Sequence, residues 1–138
     1  MIRGFVSTIV ATLVASVLAG SAVHAAESED ACKKDTSAGK LRHVVVFKFK
    51  EGTAPEKEQE IANAFAALPK QIDSIIEFEW GLNNSPEGHD QGFTHVFLVT
   101  FADEAGRDKY LPHPAHQAFV KLLRPHLEKV FVVDYFAK

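Results

Sequence analysis

The chain has 138 residues, of which 46% are hydrophobic and 24% charged, so it has the size and composition of one globular domain. Its formal net charge is −3 and it has one cysteine. Those values exclude a generally basic nucleic-acid binder, an internal disulfide and a cysteine-built zinc site.

Met1 to Ala25 has the form of a secretory signal. Arg3 supplies a positive start, Gly4 to Val23 is uncharged and apolar, and Val23-His24-Ala25 places small residues where a signal peptidase reads. This predicts an exported, periplasmic or secreted protein with no stable membrane association after cleavage. The apolar run also reaches the length of a membrane anchor, which is the competing reading. Residues 26–40 (AESEDACKKDTSAGK) are polar and aperiodic, and read as a disordered lead-in whose Cys32 is either an idle thiol or, after export to an oxidising compartment, the site of an intermolecular disulfide. The domain itself is expected over residues 41–138.

Leu41 to Lys50 (LRHVVVFKFK) reads as a strand. A period of two puts Leu41, His43, Val45, Phe47 and Phe49 on one face, with Arg42, Val44, Val46, Lys48 and Lys50 on the other. Thr53 and Glu56 are spaced as a capping box. Behind them Ile61, Ala64, Phe65 and Leu68 recur at helical spacing, which predicts an amphipathic helix ending near Pro69. A second strand is expected from about Ile72 to Leu82, with Ile76, Phe78 and Trp80 alternating against Glu77 and Glu79. Gly81 to Gly92 (GLNNSPEGHDQG) is a loop by composition. Phe93 to Phe101 is a third strand, with Phe93, His95, Phe97, Val99 and Phe101 on one face. Asp103 can cap a short helix containing Tyr110, and Pro112 interrupts it. Pro114 suits the first turn of another helix, with Phe119, Leu122, Leu123 and Leu127 as its apolar stripe and Pro125 bending or shortening it. Val130 to Ala137 closes the chain as a fourth strand.

The order β-α-β-β-α-β predicts an α+β, ferredoxin-like split βαβ fold. Right-handed crossovers place the helices on one face of a four-stranded antiparallel sheet. The other face then carries Val44, Val46, Val96 and Leu98, an apolar patch large for a monomer to leave in water. It predicts a homodimer through the open sheet face.

The chemistry-bearing residues are histidines and one tyrosine. His43 and His95 sit on aromatic strand faces, where a histidine is either a satisfied core residue or a cavity wall. His113 precedes Pro114 and reads as a helix cap. His116, near a helix start, is favoured as a neutral base, and Tyr110 is close enough in sequence to pair with it. Phe47, Phe65 and Trp80 join His43 and His95 as expected ligand contacts. No carboxylate lies at a metal-ligand spacing with these histidines, so no metal is expected, and nothing calls for a cofactor.

HVVVFKFK, FEWG, the NNSPEG loop, FTHVFLVTF, YLPHPAHQAF and the closing VVDYF together resemble the stress-responsive α/β-barrel (Dabb) domain family, from Leu41 to about Phe136. The resemblance implies a dimeric α+β barrel. A plant member of that family is a polyketide cyclase whose catalytic tyrosine and histidine match Tyr110 and His116. Its strand histidines match His43 and His95. The expected function is therefore an exported stress-type protein that binds a small apolar or aromatic molecule between helices and sheet without established catalysis. The alternative is a cyclase or lyase with His116 as general base and Tyr110 orienting or polarising the substrate.

Overall fold

The computed structural model describes residues 38–138. The expectations for the signal segment 1–25, for Cys32 and for most of the lead-in lie outside the described residues. The elements are β1 (Leu41–Phe49), α1 (Pro55–Ala66), a 3-10 turn (Leu68–Lys70), β2 (Ile75–Leu82), β3 (His95–Phe101), α2 (Glu104–Tyr110), α3 (Pro114–Leu123) and β4 (Leu127–Phe136). The strands form one antiparallel sheet in the order β2-β3-β1-β4. This is the expected ferredoxin-like α+β arrangement. Gly39 and Lys40, read from sequence as the end of the lead-in, continue the pairing at its edge: the Gly39 amide donates to the Ala137 carbonyl, and the Ala137 amide to that of Lys40.

The alternation in β1 settles which face is the core. Leu41, His43, Val45, Phe47 and Phe49 are all buried, and each residue between them is partly exposed. Against that face pack Ile61, Ala62 and Phe65 of α1, Leu68 of the 3-10 turn, Tyr110 of α2, and Phe119 and Leu123 of α3. Each fully buried aliphatic or aromatic side chain contributes roughly 1.5–3 kcal/mol.

Four local expectations are corrected. The capping box at α1 does not form: Ala54 is the N-cap, and the Thr53 hydroxyl instead donates back to the Lys50 carbonyl. Pro55 opens the helix, where a missing amide hydrogen costs nothing. The second strand starts at Ile75 rather than Ile72, and a bulge changes its parity. Ile75 pairs with Phe101, Glu77 with Thr100, and Ile76 is the extra residue between them. Ile75 is therefore buried and Ile76 exposed, while Phe78 and Trp80 keep their expected face. The third strand begins at His95 rather than Phe93. Finally, α3 stops at Leu123, just before Pro125, and Leu127 opens β4 instead of extending the helical stripe.

Among the described residues nothing covers the outer sheet face. Val96, Phe131, Val133 and Tyr135 are exposed there, beside half-buried Val44, Val46 and Leu98. Thr100 is the buried polar residue of this face, receiving a hydrogen bond from Arg42, which also donates to Glu77 at 2.9 Å. Among the described residues no helix is long and apolar enough to cross a membrane.

Candidate functional site

Between β1, β4 and the helices lies a cavity of about 290 Å³. Its walls are apolar, with Val45, Leu111, Val120, Leu123, Leu127, Val130 and Val132 among them. Five of the residues singled out from sequence meet there: His43, Phe47, Phe65, Tyr110 and His116. Their convergence has local causes. His43 and Phe47 share the inward parity of β1. Asp103 caps α2 through the Gly106 amide at 2.8 Å, and that helix carries Tyr110 inward. His113 then caps α3, its Nδ1 accepting from the Ala115 amide at 3.2 Å. The turn between α2 and α3 thereby brings His116 back over Tyr110, with ring centroids 4.2 Å apart. His43 also meets the Tyr110 ring, edge-on at 5.8 Å between centroids.

The ring nitrogens of both histidines are differentiated by their partners. His116 Nδ1 lies 2.9 Å from the Leu111 carbonyl, which can only accept, so Nδ1 carries the proton and Nε2 is left for a ligand. Burial holds the His116 pKa below the ordinary histidine value, opposed by that carbonyl contact and assisted by the nearby His43 and His113. The neutrality expected of His116 thus has burial as its main source, rather than the helix terminus. Burial also pushes the Tyr110 phenol well above its usual range, so it stays protonated and can donate.

His43 Nδ1 lies 2.6 Å from Asp134 Oδ1, and Asp134 Oδ2 accepts from Arg107 at 2.9 Å. Burial works to raise the Asp134 carboxyl, but the hydrogen bonds from His43 and Arg107 outweigh it and hold the pKa below the ordinary carboxylate value. Sequence reasoning missed both residues. The signal for Asp134 was present: Val130, Val132 and Asp134 share one face of the last strand, which puts a carboxylate on an apolar surface beside the first-strand histidine. Arg107 carried no such signal, because only the placement of α2, which packs against β2 and β3, brings its side chain within reach of Asp134.

Two expected ligand contacts lie elsewhere. The cavity wall includes neither His95 nor Trp80. His95 is buried at the other end of the sheet, edge-on to Phe49 at 5.0 Å and stacked with Trp80 at 6.3 Å. Its Nδ1 bonds the Thr94 hydroxyl at 2.9 Å, and burial depresses its pKa. It has the surroundings of a satisfied core histidine. A larger hollow of about 560 Å³ lies on the outer face beside Arg42, Glu77, Thr100 and Tyr135, where the arginine and Glu77 already neutralise one another. Among the described residues no cluster of three or more His, Cys, Asp or Glu is arranged to hold a metal ion.

Comparison with known proteins matches residues 41–137 to the stress responsive A/B barrel domain. A stress-response A/B barrel domain-containing protein of Arabidopsis thaliana is 38% identical over 97 residues, covering 70% of this chain and 89% of its own. Olivetolic acid cyclase of Cannabis sativa is 28% identical over 95 residues, covering 69% and 94%. Among solved structures, hydroxynitrile lyase from Passiflora edulis superimposes with a TM-score of 0.69 at 25% identity, over 73% of this chain and 95% of that one. A dimeric protein of unknown function and ferredoxin-like fold from Bacteroides fragilis gives 0.59 at 29% identity, over 71% and 96%.

Proposed function

The chain belongs to the stress-responsive A/B barrel domain family, and from that premise we propose that it binds a small, uncharged apolar or aromatic molecule in the cavity between helices and sheet. The observation that carries this reading is the cavity itself. Its walls are aliphatic and aromatic, and its polar groups, Tyr110, His116 and His43, lie close to one another. Apolar walls supply affinity and a few convergent polar groups supply orientation. No Asp, Glu, Lys or Arg is among the described residues lining the cavity, and the ion pair behind His43, Asp134 with Arg107, is spent on itself and on His43, which favours a neutral ligand.

Titration with the neutral fluorophore N-phenyl-1-naphthylamine tests this. The expected result is saturable binding that Val120→Trp, which fills the cavity, reduces at least tenfold. Binding unchanged in that variant would place the ligand elsewhere.

A second reading has its own observation. His116 presents an unprotonated Nε2 beside a phenol that donates, which is the equipment for taking a proton from a bound carbon or oxygen acid. Family relatives include a cyclase and a lyase by name. In this reading His116 is the general base and Tyr110 orients or polarises a carbonyl. Deuterium uptake by 4-phenyl-2-butanone in D₂O, followed by NMR, is its assay. The reading requires accelerated exchange that falls at least tenfold in Tyr110→Phe and in His116→Gln while both variants remain folded.

We further propose that two copies pair through the outer sheet face, supported by its exposed Phe131, Val133 and Tyr135 and by neighbours described as dimeric. Export to the periplasm or beyond is proposed on the apolar segment Gly4 to Val23. Sedimentation and the mass of the chain recovered from its host check these two points.

A further inference from the structure

The two cavity histidines are held by partners of different kinds. His116 is fixed by a main-chain carbonyl, which no side-chain replacement removes. His43 is fixed by a carboxylate on the edge strand β4, and a carboxylate held at one oxygen can still turn about its Cβ–Cγ bond. Here the second oxygen is held as well, because Arg107 Nη1 donates to Oδ2 at 2.9 Å. Arg107 is itself oriented: its Nε and Nη2 donate to Asp108 Oδ1 at 3.3 and 3.2 Å, which leaves Nη1 for Asp134. It stands one turn before Tyr110 on α2, so the link also ties the helix that carries the phenol to β4.

We propose that Arg107 is a positioning residue of the cavity: by holding Asp134 at Oδ2 it turns Oδ1 to His43 Nδ1, fixes the proton there, and leaves His43 Nε2 as a hydrogen-bond acceptor. A lysine in its place would hold the carboxylate with a point charge, whereas a leucine would let it rotate. The role assigned to the acceptor rests on the cavity being the binding site. The proton position does not, and it can be read without any ligand.

The test uses an asparagine as a compass. In Asp134→Asn the side chain offers one acceptor oxygen and one donor NH₂. Arg107 can only donate, so it claims the oxygen, and the NH₂ is presented to His43 Nδ1. His43 must then accept at Nδ1 and carry its proton on Nε2. The ¹⁵N shifts of histidine-labelled full-length protein, at a pH where the rings are neutral, report the tautomer directly. The expected results are Nδ1–H in the parent, Nε2–H in Asp134→Asn, and a mixture in Asp134→Asn with Arg107→Leu, where the amide is free to flip. Arg107→Lys should restore the inversion. His116, bonded to Leu111, should remain Nδ1–H throughout. Inversion that persists in the Asp134→Asn, Arg107→Leu double variant would overturn the proposal. So would an Asp134→Asn protein that keeps His43 in the parent form. If Arg107→Leu disturbs His43 and His116 together, Arg107 holds the fold and not the imidazole, and the proposal fails on that side. Absence of fluorophore binding in the parent would remove the binding site while leaving the tautomer result intact, so the two failures are distinguishable.

Discussion

The helix-facing side of the sheet carries a buried histidine towards each end, His43 on β1 and His95 on β3, both with inward parity. One end is filled with rings and the other is hollow. Around His95 lie Phe49, Trp80 and Phe97, and the side-chain hydrogen bond it makes goes to its neighbour Thr94. Around His43 lie Tyr110, His116 and an open cavity with aliphatic and aromatic walls, and its hydrogen bond goes across strands to Asp134. Burial alone therefore does not distinguish a structural histidine from a candidate functional one. What differs is whether the adjoining volume is occupied, and whether the polar partner comes from the same residue pair or from another element of the fold.

The sharpest test of this contrast compares two phenylalanines. Phe97 sits at the centre of the packed end, in ring contact with Phe47, Phe65 and Trp80. Phe97→Ala should cost about 3–5 kcal/mol in chemical denaturation, because close-packed rings cannot collapse into the gap. Phe119 also contacts Phe65 but has one side on the cavity. Phe119→Ala should cost less, about 2–3 kcal/mol, since part of its surroundings is already empty. Equal losses would mean that the two ends are packed alike.

A smaller effect separates the two regions by pH. Burial depresses the pKa of both His95 and His116. The unfolded chain takes up a proton at the ordinary histidine value of about 6.5, while the folded chain does so only at lower pH. Between those points the unfolded state binds more protons, so stability falls as the pH drops below the ordinary value. His95→Gln and His116→Gln should each flatten that fall in stability. For binding the variants should part company. Fluorophore affinity in the parent should weaken as the medium acidifies and His116 becomes charged beside the ligand. His95→Gln should keep that dependence and His116→Gln should lose it. Loss of the dependence in His95→Gln would make the packed end part of the site.

Most of the fold was legible because strand alternation is a strong signal. Leu41 to Phe49 and the run ending at Phe101 show it plainly, and both central strands fell on the expected faces. The pairing of Tyr110 with His116 was legible because they are close in sequence and the prolines punctuate the turn between them. Other features depended on geometry that one-dimensional patterns do not carry. The bulge at Ile76 is one extra residue, invisible to a period of two until the partner strand is present. Trp80 and His95 have the right parity, but parity gives a face and not a position along it. Arg107 meets Asp134 across 27 residues of chain, through a helix packing that no local pattern encodes.

The smallest contrast lies in how the helices begin. Both Thr53 and Asp103 look like caps in sequence, but only Asp103 performs that role. Its carboxylate receives the Gly106 amide and fixes the start of α2, the helix that delivers Arg107 and Tyr110 to the hollow end. Thr53 points its hydroxyl back to Lys50, and α1 begins at Pro55 without side-chain capping. Asp103→Ala should therefore cost about 1 kcal/mol, the usual penalty for a lost N-cap. It should also weaken fluorophore binding, because α2 frays where the site needs it fixed. Thr53→Ala removes one exposed local hydrogen bond and should change stability by no more than about 0.5 kcal/mol, with binding untouched. Thermal melts in the presence and absence of the fluorophore measure both. If Asp103→Ala left binding unchanged, the order of α2 would not matter to the cavity. The hollow end would then owe its shape to β1, β4, α3 and Phe65 of α1.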